Sequence, residues 1–377
     1  LKRLGRSLIK GKIACSCGLR YILEMNSIPI IDVSSLYNTG KATDSVDTEI
    51  GEALHKAGFA VLTNAKVDFG LIGEIQKFFQ LGESEKMEYA KNYYKSENTN
   101  LYRGYFPADY TANAPKEGYD IGPPDKMQPE SGDPFLEENI WPEHLDDWQN
   151  AMCKYYAEVE TLGFHLLDSI ARYLGIDKQW LSSRFEGHRS TLRPIRYPYN
   201  ESYTHKEICA PHVDSGFLTI LYQDTIGGLQ AKSPFSENDD GYIDVPAVKN
   251  SFAINIGKTA ERWSNGYFKA TEHRVLNSFK ERYSVPFFFE PAFDTVIDVL
   301  PSSKINKVPY FSVKLLMVFK KLSLGKIKPS LVFSSLIFTI FSSLITFFLG
   351  FFFGFNFSSL ITFFLGFFCG FTSSSSV

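Results

Sequence analysis

Two histidines and a carboxylate carry the strongest chemical signal in the sequence. The stretch Ala210 to Gln230 sets His212 and Asp214 two residues apart on a run that reads as a β-strand. Alternation along a strand sends both side chains to one face. His273, downstream in F-K-A-T-E-H-R-V, offers a third donor from a separate predicted strand. Two imidazoles and one carboxylate with open coordination positions suit non-haem Fe(II) and oxygen chemistry. Arg282 and Ser284 follow in E-R-Y-S-V-P-F-F, again two apart and on one strand face. A guanidinium fork beside a hydroxyl is a carboxylate receptor, with two parallel charge-assisted bonds and a third hydrogen bond.

These residues need a scaffold that brings distant segments together. From Ser190 onward the sequence breaks into short strands: T-L-R-P-I-R-Y-P, F-L-T-I-L-Y-Q, Y-I-D-V-P, F-A-I-N-I-G, H-R-V-L-N and Y-S-V-P-F-F-F. Short strands bounded by Gly, Pro, Asn or Asp predict a sandwich or barrel whose mouth holds the site. Upstream, a strand at Ile28 to Val33 precedes a helix over 47–57, closed by Gly58. Then come a strand F-A-V-L-T, a helix over 69–79 and a short helix capped by Ser84. Residues 92–142 read as one long loop, rich in Asn, Pro, Gly and Tyr, and its aromatics favour a substrate-facing lid. Tyr155, Val159, Leu162, Leu166, Ile170 and Leu174 form one stripe of a long helix over 142–174, ended by Gly175.

Composition narrows the function classes. The chain has 377 residues and a net charge of −3 without a basic stripe, which argues against nucleic acid as a partner. Five scattered cysteines make no disulfide framework and suit a reducing, cytoplasmic compartment. The ends differ in character from the middle. Residues 1–24 carry six cations and no acid before Glu24, and read as upstream read-through or a transit segment. Residues 311–377 hold a Phe/Ser repeat in which Phe341 to Phe355 recurs as Phe357 to Phe371 with one change. That tail reads as translated repetitive sequence or as a membrane anchor with the preceding domain on the cytoplasmic side.

With these motifs in order, the chain resembles the isopenicillin N synthase-like family of Fe(II)- and 2-oxoglutarate-dependent oxygenases over about Ser27 to Pro301. The resemblance rests on I-P-I-I-D, R-G-Y at Arg103 to Tyr105, K-E-G-Y-D-I-G at Lys116 to Gly122 and E-N-I-W-P at Glu138 to Pro142. It continues through L-R-P-I-R-Y-P, the 210–230 stretch, E-R-W-S-N-G-Y-F-K-A-T-E-H-R-V-L-N and E-R-Y-S-V-P-F-F. It implies an α+β, mainly β fold: a double-stranded β-helix (jelly-roll) core over 190–301, preceded by a helical part over 25–189. It implies Fe(II) on His212, Asp214 and His273. It implies 2-oxoglutarate against Arg282, Ser284 and Tyr197, and O2 as oxidant. The expected reaction is hydroxylation or desaturation of a small molecule by a monomer, with release of succinate and CO2. Tyr102, Arg103, Tyr119 and Asn139 are the substrate-side candidates.

Two departures keep alternatives open. Ile195 stands where many plant members carry Asn, and I-R-Y-P-Y is closer to the synthase itself, an oxidase that needs no 2-oxoglutarate. Lys258 replaces the Asp usual after I-G. A non-catalytic ligand-binding relative is the reading from a different class.

Overall fold

The computed structural model describes residues 27–38, 44–111, 115–124, 137–233, 236 and 238–305, all within one compact unit, Leu1–Lys307. The expectations for residues 1–24 and 311–377 concern stretches outside the described residues. No helix among the described residues is long and apolar enough to cross a membrane.

Strand β1 (Ile30–Asp32) leads through helix α1 (Asp44–Lys56) to β2 (Phe59–Thr63), which pairs with it in parallel. Val46, Ile50, Ala53 and Leu54 form the buried face of α1, as their helical spacing dictates. Gly58 ends it at φ 71°, and a Cβ there would lie 2.2 Å from the Lys269 carbonyl oxygen, so both backbone conformation and space demand glycine. Helices α2 (Leu71–Lys77) and α3 (Glu83–Met87) follow. The expected cap at Ser84 is corrected: α3 already begins at Glu83, with Gly82 before it.

The supposed loop over 92–142 contributes β3 (Gly104–Phe106) and β4 (Glu117–Asp120). At three and four residues they are too short to display a period of two, and a sheet edge recruits them. Helix α4 (Asp146–Leu174) buries Tyr155, Val159, Leu162, Leu166, Ile170 and Leu174 and stops at Gly175 in the left-handed region. It starts later than expected because Pro142 to Leu145 forms a separate turn. Helix α5 (Lys178–Ser182) is capped by the Asp177 carboxylate, which accepts from the Gln179 N–H at 2.8 Å.

The rest is strand: β5 (Thr191–Leu192), β6 (Ile195–Tyr197), β7 (Glu207–His212), β8 (Leu218–Gln223), β9 (Leu229–Lys232), β10 (Tyr242–Asp244) and β11 (Ser251–Ile256). After a short helix α6 (Lys258–Trp263) come β12 (His273–Leu276) and β13 (Arg282–Phe289). They form two sheets. The larger runs β1-β2-β11-β8-β13-β6-β4-β3, with β5 also on β13; the smaller runs β10-β9-β12-β7. This is a jelly-roll that does not close into a barrel.

Alternation divides β13 between two cores. Val285, Phe287 and Phe289 pack with α4 in the larger core, so Arg282 and Ser284 face the other way. A second core lies between the sheets: Phe59, Val61, Ala253, Ile195 and Tyr197 meet Ile208, Leu229, Ala231 and Val275. Leu166 is fully buried on α4. Leu166→Ala is expected to cost about 2–5 kcal/mol in denaturant unfolding, whereas Ala at the exposed Thr161 on the same helix should stay within about 0.5 kcal/mol.

Candidate metal centre

Antiparallel pairing of β7 with β12 sets His273 directly opposite His212, with ring centroids 4.3 Å apart. Asp214 reaches them by a different route from the one its spacing predicts. Strand β7 ends at His212, and Asp214 sits in the 213–217 loop. Backbone bonds to the start of α6 hold that loop: Lys258 N–H to Asp214 O at 2.8 Å, Thr259 N–H to Ser215 O at 3.0 Å and Gly257 N–H to Phe217 O at 3.1 Å. A Cβ at Gly257 would meet Gly216 O at 2.1 Å, so the two backbones touch. The unusual Lys258 is thereby explained. Its N–H does the holding, while its side chain pairs with Glu261 at 3.1 Å.

Each ligand candidate has one donor atom occupied and one aimed at the centre. His212 Nδ1 faces Ala210 O at 2.9 Å, and His273 Nδ1 faces Thr271 O at 3.1 Å. With Nδ1–H donating to carbonyl oxygen, both Nε2 atoms are left as lone-pair donors, each 3.8 Å from Asp214 Oδ1. Asp214 Oδ2 accepts from Thr219 Oγ1 at 2.6 Å and Asn255 Nδ2 at 2.7 Å, leaving Oδ1 available. The donor atoms of the three residues lie within 4.8 Å of one another. Thr219 and Asn255 are cross-strand partners on β8 and β11. Sequence reading missed them because only the register brings them together. The adjacent Cys209 thiol raises the His212 pKa, and burial lowers that of His273.

The centre opens into a cavity of about 840 Å³. Arg282 and Ser284, both buried, line it from β13, and Tyr197 lines it from the paired position on β6. The Arg282 guanidinium lies 5.0 Å from the Tyr197 ring centroid. Its Nε donates to Gly227 O at 2.7 Å and Nη2 to Gln223 Oε1 at 3.3 Å, but Nη1 is buried without a hydrogen-bond partner. A buried guanidinium N–H left unpaired carries a desolvation cost that a bound carboxylate would relieve. The residues present therefore fit both a divalent metal and an acidic co-substrate.

The substrate-side candidates divide. Tyr102 and Arg103 line the cavity, with Arg103 Nη1 donating to Thr191 Oγ1 at 3.0 Å. Tyr119 and Asn139 are not among the lining residues, which corrects the expectation for them. The Tyr119 ring packs on Phe78 and Trp148, and its hydroxyl donates to Ile140 O at 2.6 Å. Asn139 grips the Gly122 backbone from both sides, at 2.7 and 3.1 Å. A Cβ at Gly122 would meet Arg103 Nη2 at 2.6 Å, so Asn139 holds the wall on which Arg103 packs.

Two facing sheets and a His-Asp-His cluster beside a buried guanidinium with an unpaired N–H fit a non-haem iron oxygenase site. Comparison with known proteins agrees. Residues 188–291 match the 2OG-Fe(II) oxygenase superfamily, and residues 28–144 match the non-haem dioxygenase in morphine synthesis N-terminal region. The chain is 30% identical over 290 residues to the 2-oxoglutarate-Fe(II) type oxidoreductase hxnY of Emericella nidulans, covering 73% of this chain and 82% of that one. It is 29% identical over 289 residues to isopenicillin N synthase of Streptomyces clavuligerus, covering 72% and 86%. The structure of the dioxygenase for auxin oxidation 1 from Arabidopsis thaliana, solved with 2-oxoglutarate, superposes with a TM-score of 0.57 at 26% identity, over 75% of this chain and 99% of that one. The chain belongs to the 2OG-Fe(II) oxygenase superfamily. It is a dioxygenase, an oxidoreductase that uses Fe(II) and 2-oxoglutarate.

Two measurements follow from this geometry. Asn255→Ala removes one of the two donors holding Asp214 Oδ2, and should weaken Fe(II) binding about 10–100-fold in competition with a chelator, with the circular dichroism spectrum unchanged. Glu290, just past β13, also lines the cavity, and burial, helped by the Asp214 charge, pushes its carboxyl up to about 7. Such an acid contributes stability that is full below its unfolded value of 4.5 and lost as pH rises through about 7. In the metal-free protein, the stability difference between Glu290→Gln and wild type should therefore shift in favour of the variant across that window. A pH-independent difference would show that Glu290 does not titrate there.

Proposed function

We propose that His212, Asp214 and His273 hold the Fe(II), and that Arg282, Ser284 and Tyr197 receive the far carboxylate of 2-oxoglutarate. The observation that carries this reading is the pattern of unsatisfied atoms. Two Nε2 atoms and one carboxylate oxygen converge, and the one unpaired nitrogen of Arg282 lies on the same cavity. When bound, Fe(II) would activate O2, the oxidant of the reaction, with half of its oxidising power spent on converting 2-oxoglutarate to succinate and CO2 and the other half left for the substrate.

The protein's own groups do the positioning. The Ala210 and Thr271 carbonyls fix the ring tautomers, and Thr219 with Asn255 fixes the carboxylate. The wall of Ile195, Leu221, Leu229 and Val275 excludes water from the reacting atoms. The substrate is a small molecule, oxidised by hydroxylation or desaturation, that lies beside Tyr102 and Arg103; the cavity volume is that of a small-molecule site. We take the enzyme to act as a monomer, since one chain completes the site. We place it in the cytoplasm, as five scattered cysteines make no disulfide framework and suit a reducing compartment.

The test is substrate-dependent succinate release in a screen of small acids and amines. His212→Ala should bind no Fe(II) and release no succinate above background. Arg282→Met should keep iron but lose about 10–100-fold in 2-oxoglutarate affinity. Oxygen consumption with a peptide-like substrate and no succinate would replace this reading with the oxidase one.

A further inference from the structure

The cavity carries more positive charge than the proposed co-substrate needs. Most of its cations are already engaged. Arg193 makes a two-point pair with Asp120, and Lys91 pairs with the same carboxylate. Arg103 donates to Thr191. Arg282 belongs to the receptor described above.

Lys116 differs. It is the residue just before β4, is half-buried, and lines the cavity together with His212, Cys209 and Tyr197. Its ammonium donates to Cys209 Sγ at 3.5 Å, and among the described residues it has no carboxylate partner. Sulfur is a weak acceptor. A partly desolvated ammonium held by a thiol alone keeps most of its hydrogen-bonding capacity for something else, and an anion satisfies it best. Lys116 is also fixed in place. Glu117, its neighbour on β4, is opposite Arg196 in the β4–β6 ladder and accepts from Arg196 Nη1 at 2.9 Å. Strand β6 runs on from Arg196 to Tyr197, the residue on which Arg282 stacks. Lys116 therefore stands at the same chamber as Arg282, but beside β4, two strands away from β13 in the large sheet.

We propose that Lys116 is a second carboxylate-binding residue of the cavity, separate from Arg282. It holds a carboxylate of the acid bound near the metal, whether that acid is the substrate or the co-substrate. The proposal rests on the reading of this cavity as the chamber for both.

The experiment uses the full chain loaded with Fe(II) under anaerobic conditions, as wild type, Lys116→Met, Lys116→Arg and Arg282→Met. Calorimetric titration gives the 2-oxoglutarate affinity. Saturation-transfer NMR in the presence of 2-oxoglutarate gives binding of phenylacetate, hexanoate and glutarate, each compared with its amide. Lys116→Met should weaken one carboxylate about 10–100-fold, leave the amides unchanged, and be largely rescued in Lys116→Arg. Loss confined to 2-oxoglutarate assigns Lys116 to the co-substrate; loss confined to the added acids assigns it to the substrate. Either supports the proposal. If 2-oxoglutarate binds Lys116→Met as it binds wild type, and no added acid distinguishes the two, the proposal is overturned. Lys116→Gln replaces the Met variant if thermal unfolding shows the latter destabilised. Arg282→Met separates the two levels of inference. Unchanged 2-oxoglutarate affinity in that variant defeats the underlying reading, whereas its loss there, with normal binding of both 2-oxoglutarate and every added acid in Lys116→Met, defeats the Lys116 assignment alone.

Discussion

The two oxygens of Asp214 divide their work, and much of the centre depends on that division. One is held by Thr219 and Asn255, which face each other across β8 and β11 in the large sheet. The other is directed at His212 and His273, which face each other across β7 and β12 in the small sheet. A single side chain thus ties the sheets together at the candidate metal centre. Its backbone is held independently, by the first N–H groups of α6. Carboxylates are costly to bury unless every oxygen is satisfied. Here the protein satisfies one and turns the other toward the two imidazoles, where a cation would fit.

The same economy governs the opposite wall. Arg282 is almost fully buried, stacked on Tyr197 and bonded through two of its three nitrogens. The fork is pre-positioned, so binding an acid forfeits little side-chain freedom. The candidate metal donors, from β7, β12 and the 213–217 loop, and the candidate acid receptor on β13 face one space, because β13 alternates between the α4 core and the inter-sheet core.

What could be read in the sequence follows from what is local. The i, i+2 spacing of Arg282 and Ser284 is a true strand pattern, and the stripe of α4 is a true helical one. His212 and Asp214 group together for a reason that only half applies, since the strand stops between them and backbone bonds to α6 complete the placement. Thr219 and Asn255 carry no local mark at all; their pairing is a fact of register. Tyr119 and Asn139 look like substrate contacts because their segment reads as loop. In the fold, β4 carries Tyr119 into an aromatic core, and the Gly122 backbone claims both ends of the Asn139 amide. The Lys258 anomaly disappears once the position is seen to require only an N–H.

The order of strands in the large sheet has a consequence for how the protein is made. β2 lies between β1 and β11, with Phe59 to Thr63 paired to Asn255 to Ser251. On the ribosome β2 emerges early and β11 only after α4 and most of the small sheet. Until then β2 presents an unpaired edge of wholly apolar residues, F-A-V-L, able to pair with any passing strand. Helix α1, which lies between β1 and β2 in the chain, packs against β2 and is made before it. The 190–301 core made without the N-terminal strands would leave β11 as an unpaired edge of the large sheet.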